Sequence, residues 1–78
     1  ATSLNPQDMK SWCNRGVMLK ALGCLDDALA CYDKALEINP RDVMTWGNKG
    51  NALGALGRIR EARKCFERIL ELDPNNTA

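Results

Sequence analysis

The sequence predicts an all-α fold made of two copies of one helix-turn-helix unit. Three prolines stand 34 residues apart in this chain of 78 residues, at Pro6, Pro40 and Pro74. The same shift aligns identical residues: Trp12 with Trp46, Gly16 with Gly50, Ala28 with Ala62, and Cys31 with Cys65. Within each copy, apolar residues recur at the three- and four-residue steps of a helix that buries one face. A repeat of this length corresponds to one supersecondary unit, so two copies predict two helical hairpins.

In the first copy, we expect the first helix to begin after Asp8, because an aspartate suits the N-cap position. Its small and apolar residues at helical spacing are Trp12, Gly16, Leu19 and Leu22. Gly23 is expected to end this helix, since glycine tolerates the left-handed backbone that follows a helix C-terminus.

The second helix is expected to begin near Leu25 and to end at Asn39-Pro40, because proline disfavours helix in the residue before it. Its predicted buried face consists of Leu25, Ala28, Leu29, Tyr32, Ala35 and Leu36. The second copy predicts one helix from about Asp42 to Leu56 and another from about Ile59 to Leu72. Because the connections are short, consecutive helices are expected to run antiparallel.

Both copies resemble the tetratricopeptide repeat, whose pattern is W-x-x-L-G-x-x-Y, then A-x-x-x-F, then P. The matching residues are Trp12, Gly16, Ala28, Tyr32 and Pro40, followed by Trp46, Gly50, Ala62, Phe66 and Pro74. The departures are Arg15 and Lys49 at the leucine, Leu19 and Leu53 at the tyrosine, and Ile69 where a small residue is usual. The resemblance implies two hairpins stacked as a right-handed α-solenoid fragment, with repeat 1 at residues 9–40 and repeat 2 at residues 41–74.

The two ends of the chain also follow the repeat. Residues 1–8 are expected to be the tail of a preceding repeat, because Leu4-Asn5-Pro6 aligns with Ile38-Asn39-Pro40. Residues 75–78 are expected to be a lead-out towards a following repeat, so the chain is interpreted as a segment of a longer array. Arrays of this kind usually need about three repeats for stability. The outer face of the last helix is expected to lack a cover, and it consists of Ile59, Ala62, Phe66, Ile69 and Leu70.

Small residues are expected to set the distance between paired helices. In this interpretation Gly16 faces Ala28, and Gly50 faces Ala62, while the aromatic residues fill the wider gaps. A bulky side chain at Gly50 or Ala62 is therefore expected to overpack the hairpin.

Composition argues against several classes of protein. Eleven basic and ten acidic residues nearly cancel, so no strong non-specific attraction to nucleic acid or anionic lipid is expected. No apolar run is long enough to span a membrane, and no signal-peptide pattern opens the sequence. The four cysteines form no C-x-x-C pair, and histidine is absent, so a common zinc site is not expected. Disulfides in a secreted protein are possible by number, but the helical pattern favours packed thiols in a reducing compartment, and hence a cytoplasmic location.

The sequence gives little support to catalysis, and we predict neither an enzyme nor a cofactor. Asp26-Asp27 is the one acidic pair, and it lies at a predicted helix start, where carboxylates favour the helix dipole. The glycine-rich stretch from Gly47 to Gly54 lacks the G-K-[ST] ending of a phosphate-binding loop and falls inside a predicted helix.

The resemblance implies that the first helix of each repeat lines a concave groove that holds a segment of a partner protein. The residues of this concave groove are Lys10, Cys13, Asn14, Val17, Ala21, Met44, Gly47, Asn48, Asn51 and Ala55. Our hypothesis is that Asn14 and Asn48 bond the backbone of the partner, with Gly47 and Gly54 giving it room. The alternative is that the asparagines are solvated helix residues and the glycines have no role.

The sequence also bears on acidic peptide tails, on nucleic acid and on self-association. Some relatives clamp the acidic tails of heat-shock chaperones with basic and polar groups, but here Cys13, Val17, Met44 and Gly47 occupy such places, so we predict no complete clamp. Nucleic acid is not expected, because the basic residues of the last helix lie on the outer helix: Arg58, Arg60, Arg63, Lys64 and Arg68. The alternative function is structural, in which exposed ends stack copies of the chain into dimers or longer superhelices.

Overall fold

The computed structural model describes residues 6–72, which form four α-helices joined by short turns. The helices are α1 (Pro6–Ala21), α2 (Leu25–Ile38), α3 (Val43–Ala55) and α4 (Ile59–Leu72). Helix α1 packs against α2, α3 packs against α4, and α2 packs against α3, so two hairpins stack in chain order. The predicted all-α fold is confirmed. The expectations for residues 1–5 and 73–78, including Pro74, lie outside the described residues.

One predicted helix boundary is wrong. Helix α1 begins at Pro6, so Asp8 lies within its first turn instead of at the N-cap. Proline is favoured at the first helical position, because its missing N–H is one that a helix N-terminus leaves without a partner. In α3 the equivalent Asp42 is the N-cap, and its carboxylate accepts a hydrogen bond from Thr45 N at 3.2 Å.

Glycine ends the first helix of each hairpin, as predicted for Gly23. Gly23 and Gly57 have φ values of +88° and +82°, a conformation that other residues rarely adopt. The two turns have the same hydrogen bonds: Cys24 N donates to Leu19 O at 2.8 Å, and Arg58 N donates to Leu53 O at 2.9 Å. These six-to-one bonds define Schellman motifs, which satisfy carbonyls at the end of a helix.

The core is formed by buried residues of α2, α3 and α4. The predicted buried face of α2 is confirmed except at Leu25, which is half-buried. The core cluster consists of Ala28, Leu29, Tyr32, Ala52, Leu53, Ala62 and Cys65. Ala62 is thus part of the core, whereas the sequence placed it on the uncovered face of the last helix.

Two glycines permit close contact with aromatic rings. A Cβ at Gly16 would lie 2.6 Å from Tyr32 Cε1, and a Cβ at Gly50 would lie 2.9 Å from Phe66 Cζ. Both distances are shorter than van der Waals contact. The nearest neighbours of these glycines are therefore rings, not Ala28 and Ala62 as the sequence suggested.

The Tyr32 hydroxyl is buried and has no hydrogen-bond partner among the described residues. Burial raises the pKa of Tyr32, and the nearby Cys13 and Cys31 raise it further. An unsatisfied buried polar group costs about 1–3 kcal/mol. The ring of Tyr32 therefore contributes to the core at a cost that its counterpart Phe66 does not carry.

We expect Tyr32→Phe to raise the free energy of unfolding by about 1 kcal/mol, because it removes this hydroxyl and keeps the ring. The gain should increase at high pH. The pKa of Tyr32 is higher in the folded chain than its value of about 10 in the unfolded chain. As the pH rises from about 10 through the folded pKa, the unfolded chain therefore loses its proton first, and the native state of the parent loses stability. Urea unfolding at neutral and alkaline pH measures both effects. A less stable variant would indicate that the hydroxyl is bonded.

Candidate protein-binding groove

Helices α1 and α3 are neighbours, and two polar contacts join them. Thr45 Oγ1 and Asn48 Nδ2, both on α3, lie 3.7 Å and 3.5 Å from the Sγ of Cys13 on α1. Sulfur is a weak acceptor, so each of these contacts adds little to the stability of the fold. They place the first helices of the two repeats side by side.

The residues predicted to form the concave groove differ in exposure. Those that are exposed are Lys10, Asn14, Val17, Ala21, Met44, Asn51 and Ala55. Those that are half-buried are Cys13, Gly47 and Asn48. The exposed set is mainly apolar and amide, and Lys10 is its one charged residue.

The two asparagines at equivalent positions have different surroundings. Asn14 is exposed, whereas Asn48 is half-buried and directs its amide nitrogen to Cys13. Because Asn48 already has a contact between the helices, the exposed Asn14 and Asn51 are the amides with free access to a partner. The repeat pattern predicted the same role for Asn14 and Asn48, but their exposure and contacts differ in the structure.

Gly47 and Gly54 of α3, whose equivalents in the first repeat are Cys13 and Lys20, both border α4. A Cβ at Gly47 would lie 3.7 Å from Ile69 Cδ1, which is ordinary contact. A Cβ at Gly54 would meet nothing within 4 Å. Gly54 also lines a cavity at the end of the fold with residues of α4, among them Ile59 and Phe66.

A cleft on the other side of α3 was not predicted from the sequence. This outer cleft, of about 320 Å³, is lined by Trp46, Lys49, Leu53, Glu61, Lys64, Cys65 and Arg68. The charged groups of Lys49 and Arg68 lie 5.4 Å and 5.8 Å from the centre of the Trp46 ring, within cation–π range. Trp46 Nε1 donates to Pro40 O at 2.7 Å, so the ring is held by a backbone contact.

The charged residues of α4 pair mainly with one another. The described pairs of α4 lie within it or at its start: Arg58–Glu61, Arg63–Glu67 and Arg68–Glu71. The pair between helices joins α3 to α2, with Lys49 Nζ 2.7 Å from Asp33 Oδ1. A lysine of α3 reaches α2 because the two hairpins are stacked there.

All four cysteines are free, and their exposure differs. Cys31 and Cys65 are buried, as expected of packed thiols, and burial raises the pKa of Cys65. Cys13 is half-buried, whereas Cys24 is exposed in the turn after α1 and does not pack as an apolar group. Among residues 6–72, no group of three or more potential metal ligands comes together.

We expect alkylating reagents to modify Cys24 first and Cys65 only after unfolding. Thiolate is the reactive form, and Cys65 is both buried and less readily ionised. Mass spectrometry of the chain after timed treatment with iodoacetamide measures the order. Equal rates for Cys24 and Cys65 without denaturant would contradict the packing described.

Comparison with known proteins tests the family that the repeat pattern suggested. The family model for the tetratricopeptide repeat matches residues 10–42 and 43–76, two consecutive repeats that cover most of the chain. The chain belongs to the tetratricopeptide repeat family. Its tetratricopeptide repeats are those of a protein-interaction scaffold. No described helix is both long enough and apolar enough to cross a membrane.

A similar solved structure contains tetratricopeptide repeats in complex with a peptide. It is the first TPR of Spaghetti (RPAP3) bound to the HSP90 peptide SRMEEVD. The two chains are 31% identical with a TM-score of 0.83, and the alignment covers 95% of this chain. This chain spans a little over half of that one, 56% of its length. A comparison with curated protein sequences finds no match.

Proposed function

We propose that this chain binds a segment of a partner protein in the concave groove between α1 and α3. The observation that carries the proposal is the similar structure of tetratricopeptide repeats with a bound peptide. The exposed groove residues support it, because they offer amides and apolar side chains on two adjacent helices. Binding of this kind needs no catalytic group, and we assign the chain no catalytic role.

The groove favours a segment rich in apolar side chains. Val17 is 45% exposed and Met44 is 74% exposed, which leaves apolar surface for a partner to cover. Methionine adapts to differently shaped partners, because its unbranched side chain is flexible. Asn14 and Asn51 then hydrogen-bond the backbone of the segment, while Lys10 supplies one positive charge.

An acidic tail is the less suitable partner. The peptide SRMEEVD, seen with the similar protein, carries three acidic side chains. Lys10 is the one cation of the concave groove, and Cys13 and Val17 supply no charge. We therefore propose that this chain does not use a clamp for acidic tails.

Titration of a selected peptide tests the groove. A peptide selected from a random library on the immobilised chain is titrated against the parent chain and the Asn14→Ala, Asn51→Ala double variant. Each hydrogen bond contributes about 1 kcal/mol, so we expect the double variant to bind at least about tenfold more weakly. The control is Lys34→Ala on α2, whose exposed side chain lies 3.9 Å from Glu37.

The outcomes separate the groove from other surfaces. Lys34→Ala should bind like the parent, and SRMEEVD should bind more weakly than the selected peptide. Equal affinity of the parent and the double variant would contradict the groove. Tight binding of SRMEEVD that is lost when its acidic residues are made neutral would contradict the apolar preference.

The free cysteines bear on where the protein works. Four reduced thiols, one of them exposed, persist best in a reducing compartment. We propose a cytoplasmic location on this ground. Detection of an intact thiol at Cys24 in protein isolated from cells under acid quench would support it, and a disulfide at that residue would contradict it.

The second candidate function is self-association. It is favoured by apolar side chains that stand exposed at the two ends of the stack. At the end of α1 these are Met18 and the following Leu22, and on α4 they are Ile59, Phe66 and Leu70. Exposed apolar groups that lie together often mark an interaction surface.

A further inference from the structure

Helix α4 presents an apolar face whose equivalent on α2 is covered. Under the 34-residue shift, Tyr32 and Leu36 of α2 correspond to Phe66 and Leu70 of α4. The first pair is 0% and 8% exposed beneath the stacked second hairpin, whereas the second pair is 42% and 47% exposed. A cavity of about 440 Å³ lies on this side of α4. We call it the α4 face, and its apolar lining consists of Gly54, Ile59, Ala62, Phe66 and Leu70.

Helix α1 presents the surface that would fit there. Met18 and Leu22 are 66% and 75% exposed. Their counterparts in the second repeat are Ala52, which is fully buried in the core, and Leu56, which is half-buried against it. Arg15, Met18 and Leu22, which follows the last residue of α1, form a surface that we call the α1 face. It corresponds to the part of α3 and its C-cap that packs against the first hairpin and the core.

The charges at the two ends are complementary in the same register. Lys49 Nζ on α3 lies 2.7 Å from Asp33 Oδ1 on α2. The repeat shift takes Lys49 to Arg15 and Asp33 to Glu67, which preserves both signs. Arg15 and Glu67 are exposed, and Glu67 contacts Arg63 of its own helix at 3.4 Å. A helix α1 placed on α4 as α3 lies on α2 would bring Arg15 to Glu67.

We propose that copies of this chain associate head to tail, with the α1 face of one copy on the α4 face of the next. The contact repeats the packing of α3 on α2 and includes an Arg15–Glu67 ion pair between copies. Arg63 replaces Leu29 in this register, and its aliphatic stem covers apolar surface while its charge stays in water. Because the two faces differ, the contact is heterologous. Each copy that is added leaves a free α1 face at one end of the assembly and a free α4 face at the other.

This inference specifies the second candidate function and does not depend on the first. The α1 and α4 faces share no residue with the concave groove. Peptide titration at low chain concentration, where copies are separate, tests the groove alone. Failure of one proposal therefore leaves the other intact.

Sedimentation velocity with two blocked variants tests the contact. Leu22→Glu blocks the α1 face and Leu70→Glu blocks the α4 face, and both side chains are substantially exposed, so the fold should survive, as circular dichroism checks. The parent chain should grow beyond dimers as its concentration rises. Each variant alone should remain monomeric, and their equimolar mixture should form dimers and nothing larger.

Other results would overturn the proposal. A parent chain that stays monomeric at millimolar concentration would exclude self-association of any kind. Dimers of Leu22→Glu alone would indicate that two α4 faces meet symmetrically. A mixture that remains monomeric would show that the α1 and α4 faces do not bind each other.

A charge exchange tests the register of the contact. Glu67→Arg places two arginines together, so it should lower the association constant about tenfold, and adding Arg15→Glu should restore it. Glu37→Arg is the matched control, because Glu37 also forms an exposed ion pair within its own helix, with Lys34. No recovery in the double variant, or an equal loss in the control, would contradict the Arg15–Glu67 pair.

Discussion

Leu53→Ala is expected to lower the free energy of unfolding by about 2–5 kcal/mol, the range for removing a buried leucine side chain. Leu53 is 3% exposed and belongs to the core cluster between α2, α3 and α4. A single small core rarely provides more than about 3–5 kcal/mol of stability in a domain of this size. We therefore expect the variant to be largely unfolded at room temperature.

Thermal and urea unfolding followed by circular dichroism measure this effect. The control is Met44→Ala, which shortens an apolar side chain that is exposed on the same helix. That change should alter stability by no more than about 0.5 kcal/mol. Equal midpoints for the two variants would show that Leu53 does not lie in the core of the folded chain.

Gly16→Ala should be the second most damaging change, because overpacking costs about 1–3 kcal/mol. The added Cβ would lie 2.6 Å from Cε1 of Tyr32. Tyr32 is fully buried, so its ring has no room to withdraw. The gain of about 1 kcal/mol that alanine brings to a helix interior is smaller than the cost of this clash.

Gly54→Ala is the matched control for this prediction. Gly54 is also in the first helix of a hairpin, but a Cβ there meets nothing within 4 Å. We expect this variant to be more stable than the parent, by up to about 1 kcal/mol. The same urea melts compare both variants. A Gly16→Ala protein as stable as Gly54→Ala would contradict the close contact between α1 and Tyr32.

Most of the fold could be predicted because the same helix and turn signals occur in both copies of the repeat. Gly23 and Gly57 end helices at equivalent places, and the apolar spacing of α2 identified the face that is buried. The start of α1 was missed because Asp8 has the chemistry of an N-cap, while Pro6 is equally suited to the first turn. One sequence does not decide between two acceptable signals.

The site was harder to predict, because it depends on the direction of individual side chains. Asn14 and Asn48 occupy equivalent positions in the two repeats. Only Asn48 contacts the first helix of a preceding repeat, at Cys13 of α1, because no helix precedes α1 among the described residues. The outer cleft at Trp46 lies between α3 and α4 and depends on how their side chains are directed, which the repeat pattern does not specify. Phe66 is exposed while Tyr32 is buried, because the second hairpin covers α2 and no described hairpin covers α4.

The position of a bound peptide is the most direct test of the proposed function. Backbone amide signals of the isotopically labelled chain, followed by NMR as the selected peptide is added, report which residues it contacts. The groove predicts the largest shifts at Asn14, Val17, Asn51 and Ala55, with little change along the exposed surface of α4. Shifts that cluster at Ile59, Phe66 and Leu70, or around Trp46 and Arg68, would contradict binding between α1 and α3.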